Sequence, residues 1–146
     1  MATRPIGYWL KQVDRLLEHA FAQALESEDC TRRHWQVLNV LETGPLDERE
    51  IERAVLPFLT ADPAALRNVL GDFRERGWAE PVNGTRLRLT AAGRSVHRKL
   101  QSSVEEHRRR VSEGISPDDY STTVEVLERM ARNLEAYLRA AQSGTV

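Results

Sequence analysis

WAEPVNGTRLRLTAAGR, residues 78–94, is the stretch that decides how this chain is read. Asn83-Gly84 stands between two short segments, and an Asn-Gly pair in that position is the strongest local signal for a β-hairpin. In the second segment Leu87 and Leu89 alternate with Arg86 and Arg88. One face of the hairpin is therefore apolar and the other cationic. Thr90 follows as a helix cap, and Val96, Leu100, Val104, His107 and Val111 then recur at helical spacing.

Upstream of the hairpin the signals are helical. Asp62-Pro63 is a cap followed by proline at the first helical position. Leu66, Val69, Leu70 and Phe73 give that helix one apolar face, and Gly77 ends it. A shorter helix opens at Asp47 with an Asp-x-x-Glu capping pattern to Glu50, carries Ile51, Ala54 and Val55, and is limited by Pro57. Before it, a helix capped by Thr31 carries Trp35, Val37, Leu38 and Leu41 and stops at Gly44-Pro45. Three short helices followed by a hairpin predict a winged helix-turn-helix over residues 31–90.

Two long helices flank this lobe. Over residues 4–27, Ile6, Leu10, Val13, Leu17, Phe21, Ala24 and Leu25 mark one face, widened by Trp9 and Leu16. After the start Ser116-Pro117, the residues Tyr120, Val124, Leu127, Ala131, Leu134, Leu138 and Ala141 step by four and three alternately, a heptad seam. The small lobe does not need these stripes. The fold class expected is mainly α, a single domain over 1–146, with helical dimerisation regions at 4–27 and 91–142. Ile6, Leu10, Val124, Leu127, Leu134 and Leu138 are the expected homodimer contacts.

In such an architecture the second helix of the motif enters the major groove and the wing reaches a neighbouring groove or backbone. The residues this places toward duplex DNA are Ala64, Ala65, Arg67, Asn68 and Arg74 on the helix, and Thr85, Arg86 and Arg88 on the wing. Arg67 and Asn68 are the expected base readers, since arginine suits guanine edges and asparagine adenine. Arg94, Arg98 and Lys99 extend a cationic run that can meet phosphates.

Composition narrows the alternatives. The chain has 146 residues, 40% of them hydrophobic and 29% charged, with a net charge of −1. That balance fits a soluble globular domain and leaves DNA binding to a local basic face. The lone Cys30 forbids an intrachain disulfide, and with no signal-peptide pattern or membrane-length apolar run it points to the cytoplasm. No catalytic triad, phosphate loop or paired-carboxylate motif stands out, so no enzyme activity and no cofactor are expected. A metal site joining Cys30, His34 and His107, or a redox role for Cys30, are lesser readings; the primary expectation is no metal. Trp9, Phe21 and Trp35 are the aromatic candidates for a small-molecule effector pocket.

His34-Trp35-Gln36-Val37-Leu38, Gly44-Pro45-Leu46 and Glu50-Ile51 together resemble the second and third helices of the MarR family of bacterial transcription regulators. The run from Asp62-Pro63 to Arg76-Gly77 resembles their recognition helix. Leu89-Thr90-Ala91-Ala92-Gly93-Arg94 is similar to the family's L-T-x-x-G-R element. The resemblance implies a symmetric dimer on palindromic DNA, with small ligands acting where dimer helices meet DNA lobes. Three features depart from the family pattern. Ala64 and Ala65 stand where hydroxyl residues are usual, the wing lacks the D-x-R tip, and the link over residues 56–61 is long. Between residues 62 and 89 five arginines meet four acidic residues, a thin electrostatic footprint. A winged-helix dimer with degenerate DNA reading, acting as a protein-interaction or ligand-binding module, is the alternative reading.

Overall fold

A computed structural model describes residues 3–55 and 63–144. Its elements run α1 (Ile6–Glu26), α2 (Arg32–Glu42), α3 (Glu48–Val55), α4 (Pro63–Glu75), β1 (Ala79–Val82), β2 (Arg86–Leu89), α5 (Ala91–Val111) and α6 (Pro117–Ser143). The order is the expected one. The long link at 56–61 and the cap expected from Asp62 lie outside the described residues. By its contacts the chain divides into two units, one ending at His107 and the other beginning at Arg108.

The first unit is built around one apolar core. Val37, Leu38 and Leu41 of α2, Ile51 and Val55 of α3, Leu66, Leu70 and Phe73 of α4, Leu87 and Leu89 of β2, and Leu100 and Val104 of α5 are all buried in it. These are the positions that helical and strand periodicity assign to inner faces. The caps match their sequence signals. Glu50 N–H donates to Asp47 Oδ1 at 2.8 Å, and Asp47 N–H donates back to Glu50 Oε2 at 3.4 Å. Each satisfies a donor that the start of α3 leaves free.

The wing differs from expectation in two details. Val82 pairs with Arg86, so the loop holds three residues, Asn83 to Thr85, and Thr85 belongs to the turn. Asn83 and Gly84 both have positive φ, 47° and 88°, which asparagine tolerates and glycine, lacking a Cβ, adopts freely. The hairpin also gains a third edge. Leu46 exchanges both backbone hydrogen bonds with Leu87, at 3.0 and 2.8 Å. A single bridging residue has no period to detect, so local reading gives no sign of it.

The junction from wing to α5 explains the Leu-Thr-x-x-Gly pattern. Thr90 N–H donates to the Trp78 carbonyl at 2.9 Å and Thr90 Oγ1 donates to the Gly77 carbonyl at 2.6 Å. The same hydroxyl accepts from Gly93 N–H at 3.1 Å, capping α5. A Cβ on Gly93 would overlap the Trp78 carbonyl oxygen and crowd Leu89. Only glycine lets α5 approach the strand so closely.

Only the end of α1 is tied into the core. Leu25 is fully buried and Phe21 packs partly against the core, while Ile6, Trp9, Leu10 and Val13 remain 41–53% exposed. In the second unit, α6 starts as its sequence predicts, with Ser116 Oγ accepting from Asp119 N–H at 3.1 Å. None of its residues is buried.

Candidate nucleic-acid interface

Helix α4 owes its orientation to its inner face. Leu66, Val69, Leu70 and Phe73 point into the core, which turns Arg67, Asn68 and Arg74 outward. Ala64 is exposed and Ala65 half-buried on the first turn. On the wing, Leu87 and Leu89 point inward, so Arg86 and Arg88 face outward by strand alternation. An open groove of about 740 Å³ joins these parts, lined by Asp47, Glu48, Arg49, Glu52, Arg67, Arg74 and Thr85. The start of α3, the outer face of α4 and the wing turn thus form one surface. All eight residues expected to face DNA lie on α4 or the wing.

The electrostatics of this surface are less simple than a row of free cations. Arg67 Nε stands 4.0 Å from Glu48 Oε1, and Arg86 Nη2 stands 3.4 Å from Glu50 Oε1. Arg88 Nε donates to Glu80, directly opposite on the paired strand, at 2.9 Å. Three arginines of the expected reading set are paired within the chain. Arg94, from the cationic run, donates to the Leu89 carbonyl at 3.0 Å and so braces the start of α5.

Helices α2 and α4 share a polar hub that local sequence reading missed. Thr31 N–H donates to His34 Nδ1 at 3.1 Å, which leaves the proton of the neutral ring on Nε2. Nε2 then donates to Asp72 Oδ2 at 2.8 Å, linking α2 to α4. Arg76 pairs with Asp72 at 2.9 Å, donates to the carbonyls of Glu28 and Asp29 at 3.3 and 3.0 Å, and lies 4.7 Å from the Trp78 ring centre. The hydrogen bond from His34 holds the Asp72 carboxyl below its ordinary range, aided by Arg76 and opposed by partial burial. The four-residue spacing of Asp72 and Arg76, across the end of α4, is a local signal. Their partners are more than thirty residues away.

The hub bears on the lesser readings. Both ring nitrogens of His34 are engaged, and His107 packs edge-on against Phe21. Among the described residues no three His, Cys, Asp or Glu side chains gather as a metal site needs. Cys30 is buried, and burial pushes its thiol up to about 11, the reverse of what a reactive thiolate requires. Of the aromatic candidates, Trp35 is buried and stacks on His97, whose Nε2 bonds Asn39 Oδ1 at 2.8 Å. Phe21 carries Arg32 over its ring at 4.3 Å. Trp9 is twelve residues earlier on α1, roughly 18 Å along the axis, so α1 does not bring it to Phe21.

A helix-turn-helix whose second helix and hairpin share one exposed surface defines a winged-helix protein. No family model and no curated protein sequence matches the chain. Solved structures do. BpsR of Bordetella bronchiseptica, whose DNA binding is regulated by 6-hydroxynicotinic acid, is 19% identical with a TM-score of 0.69, over 87% of this chain and 94% of that one. A MarR-family protein of Mycobacterium tuberculosis in complex with DNA is 24% identical with a TM-score of 0.67, over 88% of this chain and 98% of that one. MarR of E. coli is 18% identical with a TM-score of 0.66, over 88% and 95%. The chain has the fold of the MarR-type regulators.

Proposed function

We propose that this protein is a dimeric transcription regulator that binds duplex DNA through α4 and the wing. The observation carrying this reading is the groove lined by Arg67, Arg74 and Thr85, with Asn68 and Arg86 exposed on the same helix and wing. Phosphates supply most of the affinity, and Arg67 and Asn68 supply the choice of bases. The DNA complex of the M. tuberculosis protein supports the reading. The site of action is the cytoplasm, and among the described residues no helix is long and apolar enough to cross a membrane.

Dimerisation is supported by the uncovered apolar residues. Ile6 and Leu10 on α1 are 53% and 41% exposed, and Val124, Leu134 and Leu138 on α6 are 48%, 59% and 58% exposed. Leu127 is half-buried. A second copy is the partner that such a heptad seam fits, and a two-fold dimer calls for a palindromic operator. The ligand control of BpsR supports a small-molecule effector here.

Fluorescence anisotropy with the duplex upstream of the protein's own gene tests the reading. Binding at or below micromolar protein, weakening steeply with salt, is expected. Absence of salt-sensitive binding overturns it. The internal pairing of Arg67, Arg86 and Arg88, with Ala64 and Ala65 in place of hydrogen-bonding side chains, favours a second reading: a winged-helix dimer acting as a ligand- or protein-binding module. Dimer formation without duplex binding is the outcome that selects it.

A further inference from the structure

We propose that Glu48 and Glu50 of α3 are built-in competitors for the DNA phosphates, holding Arg67 and Arg86 in reserve; the inference rests on the DNA-binding reading above. Glu48 stands in the first turn of α3 beside Arg67 of α4, and Glu50 stands beside Arg86 at the wing. The two pairs join α3 to the two elements that read DNA. Both arginines are more than half exposed, at 68% and 51% of their side chains, so a phosphate oxygen can reach them. Asp47, Glu48 and Glu52 line the same groove as Arg67, Arg74 and Thr85, so the carboxylates belong to the surface itself.

The physical consequence is an exchange. A phosphate that takes the Arg67 guanidinium must displace the Glu48 carboxylate, and that carboxylate then remains beside the DNA as a like charge. The same holds for Arg86 and Glu50. Each exchange lowers affinity and reduces the net release of counterions, because the freed carboxylate takes up cations as the phosphate gives them up. The number of arginines on the surface thus overstates both the binding strength and its salt dependence. Glu50 carries a second duty as the capping-box partner of Asp47. Glutamine keeps that duty while losing the charge.

Anisotropy titrations over a range of salt, with a random-sequence duplex and the upstream duplex, test the proposal. Glu48→Gln and Glu50→Gln should each tighten binding roughly three- to five-fold, as befits an exposed ion pair, and steepen the salt slope by up to about one. The Glu48→Gln gain should vanish in an Arg67→Gln background, and the Glu50→Gln gain in Arg86→Gln. Glu52→Gln, the same charge change in the same groove, should give a smaller gain that both backgrounds leave intact. Equal gains at all three positions that survive the arginine replacements would overturn the proposal in favour of bulk charge. Duplex binding by the wild type with no gain in the variants would overturn it alone. If neither wild type nor variants bind either duplex, the DNA-binding reading fails and the inference falls with it.

Discussion

Helices α4 and α6 carry amphipathic patterns of similar clarity, yet they meet opposite fates in the chain. Leu66, Val69, Leu70 and Phe73 of α4 are all buried, with Phe73 fully so. Helix α6 is twice as long, 27 residues against 13, and buries none. Its Tyr120, Val124, Leu134 and Leu138 are 48–59% exposed. Periodicity establishes that a helix has an apolar face and says nothing about what covers it. For α4 the cover is the chain itself. For α6 we assign it to a second copy.

That contrast can be broken most severely at the seam. Leu134→Glu places a charge where apolar side chains are expected to meet and should convert dimer to monomer in sedimentation. The fluorescence of buried Trp35 and Trp78 should stay native, because neither residue belongs to α6. A variant that stays dimeric moves the seam elsewhere. A variant whose tryptophans become exposed shows that the two regions do not stand apart energetically.

A smaller but still large effect is expected inside the lobe. Gly93→Ala forces a methyl group against the Trp78 carbonyl and Leu89, so α5 must shift away from the wing. Overpacking of this kind costs on the order of 3 kcal/mol. Urea unfolding followed by tryptophan fluorescence should show the loss, and a loss under ~0.5 kcal/mol would mean the junction yields freely. Alanine at Gly71, where a Cβ meets open space, is the matched control.

The least effect concerns the hub. The folded-state pKa of Asp72 is depressed, so its contribution to stability is present above the unfolded value and is lost as pH falls through the folded one. Asp72→Asn should therefore destabilise the protein at neutral pH. The gap to wild type should narrow in acid, beginning below about pH 4, the ordinary aspartate range. A gap that stays constant from pH 7 into that range would show that Asp72 acts through packing and not through its charge.

Much of the lobe was legible because its signals are local. Asn83-Gly84 set the turn through positive φ at both residues, and Asp47 and Glu50 set the start of α3 through hydrogen bonds spanning three residues; outside the lobe, Ser116 set the start of α6 in the same way. The Leu46–Leu87 bridge and the His34–Asp72–Arg76 hub escaped notice, since they join residues thirty or more positions apart. On the outer face of α4 and the wing, the outward direction of Arg67 and Arg86 followed from periodicity. Their partners Glu48 and Glu50 did not, because pairing across elements depends on how helices pack.

The sequence by itself determined the order of elements, the apolar face of each and the glycine that lets α5 meet the wing. Backbone sterics, caps and side-chain period act over a few residues and leave their mark in the letters. Only the tertiary structure decided how the charges on the surface of α4 and the wing are paired. Packing α3, α4 and the wing around α2 brings carboxylates within 4.0 Å of the arginines that periodicity had turned outward. Coulomb interactions follow distance in space, and distance in space exists only after the core has formed.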